Sequence, residues 1–187
     1  MTKDMTSGNP LKMILFFSFP VLLGNIFQQF YNMVDTIIVG QYLGEEALAA
    51  VGSTGCLMFL VLGFANGIAQ GFGVMISHAF GAKDFKLLKH YVALSLMLTL
   101  IVSVILTIPT VAASKAFLIL MKTPDNILGL ADSYIKVIFA GIILTMSYNV
   151  ASGILRGIGD SKTPLYFLIL SSVLNIGLDL FFIIVVK

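Results

Sequence analysis

The chain has few charged residues and very little cysteine. Only 11% of its 187 residues are charged, whereas soluble domains carry about a quarter. With 58% hydrophobic residues and a mean hydropathy of +1.02, the chain is predicted to lie in a lipid bilayer. Its single cysteine, Cys56, excludes an intrachain disulfide, and its apolar neighbours predict a buried thiol rather than a metal ligand.

The charges that are present do not form a nucleic-acid surface or a metal site. The net charge is only +2, and the basic residues lie mainly in short segments between apolar runs. Such charges indicate membrane orientation rather than nucleic-acid binding. His78 and His90 are twelve residues apart and lack partner ligands, so we interpret them as interfacial residues.

Five apolar segments are long enough to cross the hydrocarbon core, which takes about 20 residues of helix. They are residues 13–40, 47–76, 91–113, 130–155 and 165–186, with an amphipathic link from His78 to His90 between the second and third. The predicted fold is an all-α integral membrane bundle over residues 13–187, preceded by an N-terminal segment 1–12. No small-residue cleavage site follows the first apolar run, so we expect the first helix to be retained.

Basic residues are distributed unequally between the two predicted sides. One side receives Lys3, Lys12, Lys83, Lys86, Lys89, Arg156 and Lys162, and the other receives Lys115, Lys122, Lys136 and Lys187. Because cytoplasmic loops carry an excess of lysine and arginine, we expect a multi-pass protein of the cell inner (cytoplasmic) membrane with a cytoplasmic N-terminus. Turn residues are predicted at 44–46, 123–125 and 159–164.

Two acids lie within the apolar segments. Asp35 shares one helical face with Asn25, Gln28 and Asn32, and Asp179 follows Asn175 by one helical turn. A carboxylate in lipid is costly unless it is paired, protonated or hydrated, so such acids indicate ion or proton handling. Asn175 and Asp179 offer the oxygen ligands that hard cations take, and two close carboxylates also favour binding a proton. Both Na⁺ and H⁺ therefore stay open.

Other polar and small residues have structural explanations as well as functional ones. Asn149 belongs to a polar face of the fourth segment, where its amide could equally well hydrogen-bond a neighbouring helix. Pro20 interrupts the first helix, as a hinge or as a static kink. Glycines recur at four-residue steps as Gly63, Gly67 and Gly71, and as Gly153 and Gly157. This spacing predicts close helix packing.

One short motif resembles a catalytic signature. The run Gly157-Ile-Gly-Asp160 matches the Gly-x-Gly-Asp pattern of intramembrane aspartyl proteases. Asp160, however, lies beyond Arg156 in a segment rich in turn residues. We therefore predict that it connects two helices, and that the protein is not an enzyme.

Two longer stretches resemble multidrug and toxic compound extrusion (MATE) transporters. The first runs from Asn25-Ile-Phe-Gln-Gln-Phe-Tyr-Asn-Met-Val-Asp35-Thr to Gly40, Leu43-Gly44 and Ala47-Leu-Ala-Ala-Val-Gly52. The second is Gly153-Ile-Leu-Arg-Gly-Ile-Gly-Asp-Ser-Lys-Thr-Pro164, followed by Asn175 and Asp179. The resemblance implies five helices of the six-helix N-terminal lobe of a twelve-helix antiporter. The second acid of the fifth helix is more similar to the DinF type than to the NorM type.

The resemblance also implies roles for individual residues. It assigns coupling to Asp35, Asn175 and Asp179, which would form a Na⁺ site or hold a proton, with Asn149 as a supporting polar group. It places Pro20, Gln28, Tyr31 and Asn32 at the substrate cavity or hinge. No cofactor is expected beyond the coupling ion. The expected activity is cation-coupled efflux of organic, often cationic, compounds.

The resemblance leaves the sixth helix and the second lobe unaccounted for. Alternating access requires one bundle to rock against another, so the partner is either the C-terminal lobe of a longer chain or a second chain. One alternative is a truncated fragment or small membrane module without transport activity. Another is a related flippase for lipid-linked sugars, although such a protein is expected to line its cavity with basic residues.

Overall fold

The computed structural model describes residues 9–182, which form six helices. They are α1 (Pro10–Tyr42), α2 (Glu45–Gly81), α3 (Phe85–Leu120), α4 (Asp125–Ala140), α5 (Ile142–Gly157) and α6 (Lys162–Phe181). Four of these helices are long and apolar enough to span a membrane, and the bent pair α4 and α5 is a candidate for a fifth span. The all-α membrane fold, with four to five candidate spans, is confirmed. Residues 1–8 and the predicted continuation of the last helix to 186 lie outside the described residues.

The helices are longer than the apolar segments predicted. α2 has 37 residues, which at 1.5 Å per residue is about 55 Å, well beyond a hydrocarbon core of about 30 Å. The link from His78 to His90 is helical except for residues 82–84, so it belongs largely to the end of α2 and the start of α3. Asp84 caps α3 by accepting a hydrogen bond from the Leu87 backbone N–H at 2.9 Å.

The predicted fourth helix is not continuous. α4 and α5 are bent by 44° at a break of one residue, Gly141. Near this break the Thr107 hydroxyl of α3 donates to the Phe139 carbonyl at 3.4 Å. Backbone groups at a break inside a membrane need such partners. Helical periodicity continues across the bend, which is why the sequence predicts one helix from 130 to 155.

Helices α2 to α5 pack into the core. Their buried side chains include Ala65, Leu118, Ile135, Phe139, Ile142 and Met146. α2 and α5 run parallel and touch where Gly153 and Gly157 approach Ala69 and Gly73. Close packing by Gly153 and Gly157 is thus confirmed.

The same prediction is wrong for the other glycine series. A Cβ atom added at Gly63, Gly67 or Gly71 would meet nothing within 4 Å. The small face of α2 that packs is instead formed by Ala65, Ala69 and Gly73. Cys56 was also predicted to be buried, and it is exposed on α2. An apolar helix face turned towards lipid needs no protein neighbours, so an apolar sequence around a residue does not establish its burial.

Helices α1 and α6 form a pair beside this core. They run parallel, with Gly24 against Leu165 and Leu168. Pro20 and Ile38 are the buried side chains of α1, and Pro164 is the buried side chain of α6, among the residues described. Large apolar side chains elsewhere on the pair are exposed, including Phe30 at 58% and Leu170 at 56%. The pair therefore presents a broad apolar surface to lipid or to further protein.

The helix directions separate the charges into two ends. α3 and α4 run antiparallel, as the Ser114–Asp132 and Thr107–Phe139 contacts show. The first residues of α1, α3 and α6 therefore lie on the same side of the bundle as the last residues of α2 and α5. Within residues 9–182, this end carries Lys12, Lys83, Lys86, Lys89, Arg156 and Lys162 against two acids, Asp84 and Asp160. The other end has one more acidic residue than basic residues. Its acids are Glu45, Glu46, Asp125 and Asp132, and its bases are Lys115, Lys122 and Lys136.

Candidate functional site: an intramembrane carboxyl pair

Asp35 of α1 and Asp179 of α6 lie side by side. Their side chains are close enough to interact electrostatically. The parallel register of the two helices explains this contact, since Gly24 and Leu168 also touch and each precedes its acid by eleven residues. Two neighbouring carboxylates repel each other unless a proton or a cation reduces their charge. The arrangement is therefore able to hold a proton or to bind a cation in its place.

Two buried oxygen atoms on α6 have no hydrogen-bond partner among the described residues. They are Oδ1 of Asn175 and Oδ2 of Asp179. A buried acceptor without a partner costs about 1–3 kcal/mol, more when it is charged, so each such atom requires an explanation. Carboxylate and amide oxygens are the ligands of hard cations. These atoms fit a Na⁺ ion, and the acid oxygen also fits a proton.

Two tyrosines lie near the acids. Tyr31 on α1 and Tyr134 on α4 are each partly buried. Tyr31 is within electrostatic range of both acids, and Tyr134 is within range of Asp35 and Tyr31. Tyr134 was not predicted from the sequence. Tyr134 lies between the buried residues Ala131 and Ile135, beside the apolar face of α4 that packs into the core. This position in the helical pattern is the signal from which its partial burial could have been predicted.

Asn149 of α5 has a hydrogen-bond partner on a neighbouring helix. Its amide Nδ2 donates to Asn66 Oδ1 at 2.7 Å, which joins α5 to α2. This bond fits the interpretation of Asn149 as a helix-packing residue, which the sequence left open beside a role at the acid pair.

The remaining predicted residues of α1 lie on different faces. Pro20 is buried within the helix, whereas Gln28 and Asn32 are exposed. Asn32 Nδ2 donates to Gln29 Oε1 at 3.3 Å. A shallow cavity of about 350 Å³ opens on the side of α1 turned away from α6. Its lining residues are Asn25, Ile26, Gln29, Phe30 and Met33.

A second polar cluster was missed by the sequence analysis. The Asp132 carboxylate on α4 accepts a hydrogen bond from Ser114 of α3 and forms an ion pair with Lys136, each at 2.6 Å. The Asp132 side chain is 13% exposed and that of Lys136 is 45% exposed. The four-residue spacing of Asp132 and Lys136 is the signal that could have revealed the pair.

Asp160 has the structural role predicted for it. Its carboxylate accepts hydrogen bonds from the backbone N–H groups of Lys162 and Thr163, and from the Thr163 hydroxyl at 2.7 Å. The backbone hydrogen bond from Thr163 is the main cause that holds the pKa of Asp160 below its ordinary value of 3.8. Asp160 thus orders the turn into α6.

A cation at the acid pair would depend on an amide ligand. Within residues 9–182, no group of three or more His, Cys, Asp and Glu side chains is arranged to hold a metal ion. Asp35 and Asp179 supply two acidic side chains, so Asn175 would complete an oxygen donor set. The site is suited to a weakly held hard cation rather than a transition metal.

Comparison with known proteins identifies the family. The MatE family model matches residues 20–181. The chain belongs to the MATE family. Its relatives include the probable multidrug resistance proteins YpnP and YoeA of Bacillus subtilis. YpnP is 34% identical over 180 residues, which cover 96% of this chain and 40% of YpnP. YoeA is 38% identical over 162 residues, which cover 87% of this chain and 35% of YoeA.

Solved MATE structures share the fold. A MATE transporter in the bent conformation superimposes with a TM-score of 0.87 at 35% identity, covering 96% of this chain and 40% of that one. A MOP superfamily transporter from Pyrococcus furiosus gives a TM-score of 0.89 at 34% identity, with the same coverage. A different function has been suggested for that protein from the reverse polarity of its binding pocket.

The family assignment fixes the class of protein. This MATE chain is a multi-pass membrane protein of a transporter family and is not an enzyme. It spans about 40% of the length of the relatives and structures first compared.

Proposed function

We propose that this MATE chain contributes the ion-coupling half of an exporter of organic, often cationic, compounds, driven by inward movement of Na⁺ or H⁺. The observation that carries the proposal is the pair of buried, unpartnered oxygens of Asn175 and Asp179 on α6, with Asp35 of α1 close enough to Asp179 to interact electrostatically. Acids inside a membrane protein mark ion pathways and proton relays. The surrounding α1 and α6 surfaces are otherwise largely apolar.

The proposed mechanism couples ion binding to a movement of α1. Binding of Na⁺ or H⁺ neutralises charge at Asp35 and Asp179, which lowers the cost of enclosing them in lipid or protein. Pro20 removes one backbone hydrogen bond within α1, so the helix can bend there. Few α1 side chains are buried among the described residues, and bending would therefore disrupt little packing. Asn149 supports the α2–α5 framework through Asn66.

The cavity on α1 is a suitable surface for an organic cation. Phe30 offers an aromatic face and Met33 a polarisable thioether, while Asn25 and Gln29 can accept hydrogen bonds. We propose that this surface, together with the neighbouring residues Gln28, Tyr31 and Asn32 of the same helix, contributes to one side of the substrate site. The other side would come from a second helical bundle, in the same chain or another, as alternating access requires.

The charge distribution supports an orientation. The end that carries Lys12, Lys83, Lys86, Lys89, Arg156 and Lys162 is strongly basic, and basic ends face the cytoplasm. We therefore propose a cytoplasmic N-terminus in the inner membrane. Substrate would leave at the opposite end, where α1 ends and α2 begins.

The test measures gradient-driven transport. The longest reading frame containing this chain is expressed in a strain lacking its own drug exporters, and inverted vesicles are supplied with a fluorescent organic cation. Imposed Na⁺ or pH gradients then drive uptake into the vesicles. We expect D35N and D179N to lower gradient-driven uptake at least tenfold, because each removes an acidic ligand.

Asp125→Asn is the matched control, because Asp125 is an exposed acid at the start of α4. The same chemical change there should leave transport unaltered. Undiminished coupled transport in D35N and D179N would contradict the proposal. A membrane-inserted wild-type protein without transport would favour the fragment or small-module alternative.

A further inference from the structure

Three lysines lie close together where α2 ends and α3 begins. Lys83 is in the turn between the helices, Lys86 and Lys89 are in the first turns of α3, and all three are exposed. Among the described residues, no acid lies within ion-pair distance of any of them. Asp84 is next to Lys83 in sequence, but its carboxylate accepts a hydrogen bond from the Leu87 backbone N–H. The segment therefore carries positive charge that no ion pair compensates.

Two of these lysines share a face of α3 that points away from the core. The buried side of α3 includes Ser95, Thr99 and Ser103, and α3 packs against α2, α4 and α5. Lys86 precedes Ser95 by nine residues, which at 100° per residue places it about 180° from the buried side. Lys89 follows Lys86 by three residues and lies on the same exposed face. Both ammonium groups are therefore open to a ligand at the membrane surface.

The same face of α3 continues as an exposed apolar stripe. Met97 follows Lys86 by eleven residues and Leu100 follows Lys89 by eleven, so each lies almost directly in line with its lysine. Met97 is 55% exposed and Leu100 is 54% exposed. Lys89 and Leu100 are about 16 Å apart along the axis, roughly half of the 30 Å hydrocarbon core. The face thus joins two cations to an apolar stripe about one leaflet deep.

The general preference for basic residues on one side of a membrane does not explain this arrangement. That preference concerns how many lysines and arginines a loop carries, and not whether they share a helix face above an apolar stripe. Anionic lipids attract basic segments beside the membrane, and each lysine near the surface changes the affinity about fivefold. A soluble anion would match the lysines and leave the stripe unused. A phospholipid with a net negative charge matches both.

We propose that Lys86 and Lys89, with Lys83 beside them, bind the phosphodiester headgroup of an anionic phospholipid whose acyl chain lies along Met97 and Leu100. Lysine side chains keep the ammonium group at the headgroup layer while their methylene groups cover apolar surface. The bound lipid ties the start of α3 to one leaflet and so fixes the depth of the α2–α3 turn in the bilayer. This inference does not rest on the carboxyl pair or on transport.

The test measures lipid binding to the purified chain. Native mass spectrometry in an uncharged detergent, during titration with dioleoylphosphatidylglycerol, counts the bound lipids and gives their Kd. We expect K86Q/K89Q to raise the Kd about ten- to thirtyfold, since two lysines contribute about fivefold each. K86R/K89R should keep the wild-type Kd. All of these positions are exposed, so far-UV circular dichroism should be the same in every variant.

Two ligand controls separate the headgroup from the acyl chains. Dioleoylphosphatidylcholine has the same acyl chains and no net charge, so it should bind about tenfold more weakly or less to the wild-type chain. Glycerol 3-phosphate carries the anionic group without acyl chains. At millimolar concentration it should not displace dioleoylphosphatidylglycerol.

Two sets of variants control for net charge. K12Q/K162Q removes the same charge from two exposed lysines at the same end of the bundle and should leave the Kd unchanged. Lys83 and Lys122 are exposed turn residues with φ of 57° and 58°, and they lie at opposite ends. K83Q should raise the Kd up to about fivefold, whereas K122Q should leave it unchanged.

Several results would overturn the inference. A wild-type Kd in K86Q/K89Q would exclude the lysines as the headgroup site. An equal loss of affinity in K12Q/K162Q would show a response to net charge rather than a site. Displacement by glycerol 3-phosphate would show a site for soluble anions, and equal binding of dioleoylphosphatidylcholine would show that only the acyl chains are recognised.

Discussion

The α2–α5 contact predicts that an alanine at Gly157 and an alanine at Gly67 have different effects on stability. A Cβ atom at Gly157 would lie 3.1 Å from Ile76 Cγ2 and 3.2 Å from the Gly73 carbonyl oxygen. Optimal carbon contacts are about 3.5–4.0 Å, so Gly157→Ala forces the helices apart by several tenths of an ångström. At Gly67 the same added atom meets nothing within 4 Å.

The expected free energies have opposite signs. Overpacking a well-packed contact costs about 1–3 kcal/mol, whereas replacing a glycine inside a helix by alanine gains up to about 1 kcal/mol. Gly157 is the last residue of α5, so little of that gain applies there. We expect Gly157→Ala to destabilise the bundle by about 1–2 kcal/mol. We expect Gly67→Ala to be neutral or stabilising.

Thermal unfolding of the purified chain in detergent, followed by circular dichroism at 222 nm, measures both changes. For a chain of this size, 1 kcal/mol corresponds to roughly 2–4 °C in Tm. Gly157→Ala should lower Tm by several degrees, while Gly67→Ala should leave it unchanged or raise it. Equal shifts for the two variants would refute the packing argument. Gly153→Ala, with its nearest atom at 3.5 Å, should fall between them.

Three further predictions concern caps and polar contacts. Asp160→Ala should cost about 1 kcal/mol at neutral pH; because hydrogen bonds led by the Thr163 N–H lower the pKa of Asp160, this contribution is fully present above the ordinary value of 3.8. It is lost as the pH falls through the lowered pKa, so wild-type and variant Tm values should converge in acid, and a pH-independent gap would contradict the assignment. A double-alanine cycle at Asn66 and Asn149 should give a coupling energy of about 0.6–1.7 kcal/mol, measured by unfolding, and zero coupling would exclude their hydrogen bond. Gly44→Ala should lower Tm because Gly44 has a φ of +88°, which costs other residues about 1 kcal/mol; an unchanged Tm would show that the turn relaxes.

Local signals in the sequence were sufficient to predict where α2 and α4 begin. Glu45 and Asp125 begin helices where turn residues predicted them. The helices extend beyond the apolar segments because charged residues at a membrane surface remain helical when the helix is longer than the bilayer is thick. The break at Gly141 was missed because a 44° bend leaves hydrophobic periodicity nearly unchanged.

Tertiary contacts explain what was missed at the site. The cost of acids in lipid identified Asp35 and Asp179 individually, since that cost is a property of each residue in its own segment. Their assignment to one site followed from the resemblance to MATE transporters. The roles of Tyr134 and Asp132 depend on which neighbouring helix each side chain faces. That direction cannot be read from the sequence of α4 alone. In the same way, the glycine spacing of α2 did not show which side of the helix packs against α5.

The parallel register of α1 and α6 has a consequence for biosynthesis. Asp35 and Asp179 are separated by 144 residues of chain, and translation adds about 5–20 residues per second. Asp35 is therefore synthesised roughly 7–29 s before its partner residue. During that interval it depends on water, a proton or the insertion machinery for stabilisation. Rapid synthesis of the intervening helices would shorten this interval, so the acid pair favours uninterrupted translation of this part of the gene.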